Sequence, residues 1–184
     1  MQARRLFGTN GIRGVVNIDL TPEVVTKIGS AIGTFFQRKR IVVGYDGRTS
    51  SPIFMRAIIS GLTSTGCDVY EAGMAPTPAI QYAIKHYKMD GGVIITASHN
   101  PPEYNGVKVS ADDGIELPRE QEIEIENIFF DNKIKRVQWS EIGKVNQLPD
   151  VLNLYNKAIE SHVDVTAIER KYFHVVVDPG NGVG

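Results

Sequence analysis

Three times in the first half of the chain, a stretch with apolar side chains at every third or fourth position gives way to a short unbroken apolar run. The spacing of Val24, Ile28, Ala31, Ile32 and Phe35 predicts a helix over 22–37. Thr21 suits its N-cap, Pro22 its first position, and Glu23 the positive end of its dipole. Ile41-Val42-Val43-Gly44-Tyr45-Asp46 then reads as a buried strand, followed by the polar loop Gly47-Arg48-Thr49-Ser50. In the second cycle Ser51 is placed to cap and Pro52 to start a helix. Ile53, Phe54, Ala57, Ile58 and Leu62 line its inner face, it stops near Gly66, and a strand over 68–72 follows. In the third, Thr77 caps, Pro78 starts, and Ile80, Ala83, Ile84 and Tyr87 point inward. Val93-Ile94-Ile95-Thr96 has no polar face, which places it at the centre of the sheet. Strands alternating with helices argue for an α/β domain with a largely parallel sheet.

The second half is less regular. Val107-Lys108-Val109-Ser110 alternates like a short strand. Residues 118–130 read as an acidic helix that packs through Ile123, Ile128 and Phe129 and turns its charge to solvent. A helical stretch over 148–162 is placed to link two domains. His174-Val175-Val176-Val177-Asp178 reads as a new buried strand running into Pro179-Gly180-Asn181-Gly182-Val183-Gly184, a loop of the kind that leads to a helix. The expected organisation is a first domain over 1–150, a linker helix over 151–171, and the truncated start of a second α/β domain over 172–184. An open apolar strand invites pairing, so a homodimer is also expected.

Composition narrows the functional classes. A net charge of -1 gives no field for nucleic acid or an anionic membrane, so an anionic small molecule has to be held by a few placed cations. Cys67 is the single cysteine, which rules out an intrachain disulfide and fits a reducing, cytoplasmic setting. It lies in an alternating strand pattern and reads as a structural thiol. No apolar run approaches the roughly 18 residues of a spanning helix. No apolar stretch follows Arg4-Arg5, so no signal peptide is expected.

The segment richest in chemistry is Thr96-Ala97-Ser98-His99-Asn100-Pro101-Pro102-Glu103-Tyr104-Asn105-Gly106-Val107-Lys108. It leaves the C-terminal end of the apolar strand, where open α/β sheets place their ligands. Neighbours along an extended chain point to opposite sides, which argues against a Ser98–His99 catalytic pair. Taken alone, the segment stands open between a site and a surface turn of Ser, Asn and Pro. Gly8-x-x-Gly11-x-x-Gly14 likewise stands open between a flexible turn and a phosphate cradle. Gly180-x-Gly182-x-Gly184 hints at a dinucleotide loop, but no helix follows it within these residues.

The run Thr96-Ala97-Ser98-His99-Asn100-Pro101 resembles the active-site serine loop of the α-D-phosphohexomutases, the group of phosphoglucomutase, phosphomannomutase and phosphoglucosamine mutase. Phe7-Gly8-Thr9-Asn10-Gly11-Ile12-Arg13-Gly14 resembles that family's N-terminal loop, whose arginine enters the active site. Gly44-Tyr45-Asp46-Gly47-Arg48-Thr49-Ser50-Ser51 and Pro76-Thr77-Pro78 match further loops, and Asp178-Pro179-Gly180-Asn181-Gly182 looks like the entry to the second domain. The resemblance covers nearly the whole chain but only the first part of a four-domain enzyme. It implies a three-layer α/β/α domain with a mixed, mostly parallel sheet, plus the truncated start of a second similar domain.

The resemblance also implies a reaction and roles. A phosphoryl group moves between the 6- and 1-positions of a hexose by way of a phosphoserine at Ser98 and a bisphosphate. Ser98 carries about -1.5 to -2 of charge when phosphorylated. Lys108 and Arg13 lie beside the reacting oxygens in general acid/base or charge-stabilising roles, with electrostatic stabilisation favoured for Arg13 and proton transfer open to a partly desolvated Lys108; Lys108 otherwise reads as a solvent-facing strand lysine. His99 and Asn100 orient the loop or donate hydrogen bonds to phosphate, and Asn105, Gly106 and Arg48 complete the substrate- and phosphate-binding set. Arg48 reads equally as a brace of the loop and as a surface ion pair. Mg²⁺ is implied, bound through the Ser98 phosphate and three aspartates of an Asp-x-Asp-x-Asp-Arg loop that does not occur in this sequence. Hexose 1,6-bisphosphate is implied as activator. The substrate reading is glucosamine or mannose phosphate, with glucose phosphate close behind, and the 184 residues alone are expected to show no turnover. Two other readings are a non-catalytic phosphosugar-binding protein of the same fold and a nucleotide-binding α/β domain.

Overall fold

The computed structural model describes residues 5–183. Strand β1 (Ile12–Val15) is followed by α1 (Pro22–Phe36), β2 (Arg40–Tyr45), α2 (Ser51–Thr63), β3 (Asp68–Met74), α3 (Thr77–His86), β4 (Gly91–Ile95) and β5 (Tyr104–Ser110). Helix α4 (Arg119–Phe130), a 3₁₀ turn (Trp139–Glu141), β6 (Val145–Gln147), α5 (Val151–Glu160) and α6 (Val165–Glu169) complete it. The six strands form one sheet in the order β1-β5-β4-β2-β3-β6. The four strands from β4 to β6 run parallel, and β5 and β1 pair antiparallel at the other end. The sheet is therefore mixed and mostly parallel, with helices on both faces.

One face is covered by α1, α2 and α4, whose Ile28, Ile32, Phe54, Ile58 and Ile125 meet Ile41, Val43, Val93 and Val107. The other is covered by α3 and α5 over Val42 and Ile94. Every residue of β4 is buried, as its lack of a polar face demands. Thr21 caps α1 as expected, its Oγ1 accepting from Val24 N. Cys67 is buried, and burial pushes its thiol pKa up. Among the described residues no helix is long and apolar enough to cross a membrane.

Several expectations need correction. The buried stripe of α1 runs through Val25 and Phe36, while Val24 and Phe35 are only partly buried. Ser51 does not cap α2: it is the first helical residue, and its Oγ donates to Asp46 Oδ1 at 2.6 Å. Thr77 likewise begins α3 without capping it. Ile53, expected inward, is 50% exposed, as is Ile123 of α4 in large part. The expected linker helix over 151–171 is two helices, and Val151 and Tyr155 of the first pack into the second core. Residues 174–178 join no sheet, and Val176 is 97% exposed. Strands β1 and β6 go unforeseen: both are short, and their partners lie far away in sequence.

Helix α4 does not turn all its charge to solvent. Glu126 is buried; its Oε1 accepts from Leu6 N at 2.7 Å and Phe7 N at 2.8 Å, and its Oε2 from Arg119 Nη2 at 2.6 Å. Burial by itself pushes this carboxyl's pKa up, but the Phe7 and Leu6 amides and the Arg119 guanidinium outweigh it and hold the pKa below the ordinary value.

Two outcomes follow for stability. Helices α1 and α2 cross so closely that a Cβ on Gly61 would meet the Thr26 carbonyl and lie 2.6 Å from Ser30 N. Gly61→Ala is expected to destabilise the domain by about 1–3 kcal/mol in denaturant unfolding, since the crowded atoms are backbone. Because the pKa of Glu126 is lowered on folding, its stabilisation is fully present above the unfolded value of about 4.3 and fades as pH falls through the lower folded value. The stability gap between the parent and Glu126→Gln is expected to be larger at pH 7 than at pH 3, compared by unfolding midpoints.

Candidate active site

Strand β4 ends at Ile95, and the polar segment follows at once. Thr96 N still bonds Gly106 O at 3.1 Å, after which the chain leaves the sheet. Ala97 is fully buried, and Ser98 takes a left-handed conformation, φ 56°. Ser98 N donates to Thr96 Oγ1 at 3.0 Å, and Asn100 N to Ala97 O at 3.1 Å. A non-glycine residue in that region costs about 1–3 kcal/mol and persists only where its surroundings hold it.

Arg48 holds it. Its Nη2 donates to Ser98 O at 3.1 Å and Asn100 O at 2.6 Å, and its Nη1 to Pro101 O at 2.7 Å and Tyr104 O at 3.0 Å. Its Nε donates to Asp46 Oδ2 at 3.2 Å, and the side chain is only 13% exposed. Asp46 in turn accepts Ser51 Oγ and Arg48 N on its other oxygen. Of the two readings of Arg48, the brace is the one observed. Its donors serve loop carbonyls and Asp46.

The consequence is an exposed Ser98 at the tip of a rigid turn. Its Oγ lies 3.4 Å from His99 Nδ1. Adjacency was expected to keep the two apart, but that holds for extended backbone, and the left-handed turn at Ser98 brings them onto one side. Ser98 and His99 line a depression of about 550 Å³ with Arg13, Arg5 and the loop over 6–11. A second depression, about 720 Å³, opens on the other side of Ser98 between the loop over 46–49, the turn over 76–78 and residues 181–183.

Arg13 arrives on β1 opposite Gly106 of β5, and its Nη1 donates to Asn100 Oδ1 at 2.6 Å. Lys108 lies two residues along β5 on the same face of the sheet as Arg13. It is not solvent-facing: its side chain is 10% exposed and its Nζ pairs with Glu116 Oε1 at 2.8 Å. It is not among the residues that line the depression with Ser98. Asn105 and Gly106 lie inside the sheet. Asn105 is fully buried, with Nδ2 donating to Ser50 Oγ and Ser51 Oγ and Oδ1 accepting from Gly106 N. A Cβ on Gly106 would strike the Ile12 carbonyl and lie 2.7 Å from that of Thr96. Asn105 ties β5 to the start of α2, Gly106 lets β1 approach β5 closely, and neither is among the residues that line the two depressions.

Sequence reasoning missed Asp46, Ser51 and Arg5; the pairing of Asp46 with Arg48 two residues on was the one local signal available. Among the described residues no three His, Cys, Asp or Glu side chains converge as a metal site. The described part of the chain offers Mg²⁺ no ligand set of its own beyond what a phosphate on Ser98 would bring.

The sequence signature described as phosphoglucomutase/phosphomannomutase, alpha/beta/alpha domain I, matches residues 4–136. The chain belongs to this family. A phosphoglucosamine/phosphogalactosamine mutase of Sulfurisphaera tokodaii is 49% identical over 182 residues, 98% of this chain and 40% of that protein. A phosphoglucomutase/phosphomannomutase of Thermococcus kodakarensis is 48% identical over 185 residues, with the same coverage of 98% and 40%. The crystal structure of a phosphoglucomutase/phosphomannomutase family protein from Burkholderia thailandensis superposes with a TM-score of 0.77 at 29% identity, over 90% of this chain and 37% of that one. The chain thus spans about 40% of the length of the curated relatives it matches.

Because Arg48 holds the Ser98 turn in its left-handed form, Arg48→Ala should free it. Amide exchange over residues 97–104 is expected to accelerate about tenfold or more, equivalent to about 1.4 kcal/mol of lost local stability. Exchange in β2 and β4 should stay unchanged, and Arg48→Lys should fall between the two.

Proposed function

We propose that this chain is the phosphoserine domain of a phosphohexose mutase, the serine being Ser98. The observation that carries the reading is an exposed hydroxyl on a braced turn, sharing one depression with Arg13 and His99. Membership of the family and relatives named as mutases support it.

In the proposed cycle Ser98 starts phosphorylated. The free hydroxyl of a hexose phosphate attacks phosphorus, the P–Oγ bond breaks, and the hydroxyl proton leaves to a base. Oγ takes up a proton as it leaves. The bisphosphate then presents its other phosphoryl group, Oγ attacks that phosphorus, the bond from phosphorus to the sugar oxygen breaks, and the Oγ proton passes by way of the base to the sugar oxygen. An oxygen that serves in turn as nucleophile and leaving group suits both halves. The transition state is loose, so the domain contributes mainly position and charge. Arg13, oriented by Asn100, supplies fixed positive charge beside the serine. His99, whose Nδ1 lies 3.4 Å from Oγ, is proposed to take the Oγ proton once the two close to hydrogen-bond distance. Lys108, paired with Glu116, would have to leave that pair to reach a reacting oxygen.

Mg²⁺, when bound through the phosphate on Ser98, would neutralise charge on the transferring group. Hexose 1,6-bisphosphate would reload an empty serine. The substrate is proposed to be a glucosamine or mannose phosphate, in line with the two relatives' names at nearly equal identity, and the setting cytoplasmic.

The test is intact-mass analysis of the full-length protein before and after incubation with glucose 1,6-bisphosphate. One added phosphoryl group is expected in the parent and none in Ser98→Ala. An adduct that survives the substitution, or a parent that carries the group neither before nor after incubation, would remove Ser98 as the nucleophile.

A further inference from the structure

The depression beside Ser98 has one wall with little backbone pairing of its own. Residues 5–11 precede β1, and within that stretch Gly8 N bonds Gly11 O. Leu6 N and Phe7 N both go to one oxygen of Glu126, which belongs to α4, packed against α1. The Phe7 ring, 1% exposed, is sunk in the core beside it. The second Glu126 oxygen is held by Arg119 Nη2 at 2.6 Å, and Arg119 Nη1 also pairs with Glu122 at 3.0 Å. The wall is therefore tied at its far end by β1 and at its near end by the buried Phe7 ring and, for its backbone amides, by the Glu126 carboxylate.

We propose that Glu126 is a positioning residue for the phosphosugar site, fixing residues 5–11 as the wall that faces Ser98. The inference rests on the function proposed above. Glu126 touches no substrate; it acts through Leu6 and Phe7, whose neighbours Arg5 and Gly8 line the depression. A buried carboxylate is suited to this task because one of its oxygens can take two amide donors while the other keeps its cation. A neutral amide at this position would turn an N–H group toward either the backbone amides or the guanidinium, so one side of the pin must open.

The test is Glu126→Gln in the full-length protein, read two ways. Amide exchange at Leu6 and Phe7 is expected to accelerate at least tenfold while the sheet amides hold. In turnover, KM for the hexose phosphate is expected to rise about tenfold or more, with kcat changing less, because a loosened wall weakens binding before it alters transfer. Ser98 should still be phosphorylated by the bisphosphate. A purely structural role would reduce the folded fraction and leave KM unchanged. Unchanged exchange at Leu6 and Phe7, or faster exchange with an unchanged KM, overturns the proposal. If the parent takes up no phosphate at Ser98, the functional reading has failed, and the exchange result alone decides whether Glu126 holds the wall. Should Glu126→Gln not fold, Arg119→Gln removes the cation and leaves the two amide bonds; it is expected to give a smaller rise in KM of the same kind, and no rise overturns the proposal.

Discussion

The guanidinium of Arg48 binds the C-terminal ends of two neighbouring strands into one unit. It leaves β2 beside Asp46, reaches across to the turn after β4, and ties the carbonyls of Ser98, Asn100, Pro101 and Tyr104. A cation this little exposed is tolerated because Asp46 offsets its charge and the carbonyls replace the water it gives up. The left-handed Ser98 depends on that bracing, and so does the side on which its hydroxyl meets His99.

The sheet order makes this possible. Strands β2 and β4 are parallel neighbours, so the loops that leave them emerge side by side. The segment after β4 then doubles back as β5, whose antiparallel partner β1 brings Arg13 to Asn100. On the reverse face α4 holds the start of the chain through Glu126. Segments far apart in the sequence thus meet around one serine.

Much of this was legible in the residues. The helical spacing of Ile28, Ala31 and Ile32, the Thr21 cap and the wholly apolar β4 were read from local pattern and hold in the fold. The Ser98 loop stood out as a polar segment after a buried strand, and its resemblance to the family's serine loop made it the candidate site. Less legible was anything decided by a remote partner. Asn105 reads as a polar loop residue but is sealed between β5 and the start of α2. Glu126 reads as one acid among several on a surface helix, yet two backbone amides from the start of the chain fix its burial. The apolar run over 174–178 reads as a buried strand, but a strand exists only through a neighbour, and none pairs with it here.

By itself the sequence determined the alternation of helices and strands, the central strand, and the polar segment that leaves it. Those depend on periodicity, caps and side-chain chemistry, which act within a few residues. Tertiary structure decided which of the polar residues face the depression and which are spent as struts. Arg13 and His99 line it, while Arg48, Asn105 and Gly106 hold its frame and Lys108 is paired off with Glu116. The reason is that hydrogen-bond donors and charges go wherever folding leaves an acceptor within reach, and the acceptors for Arg48, Asn105 and Glu126 lie on segments that only the sheet pairings bring near.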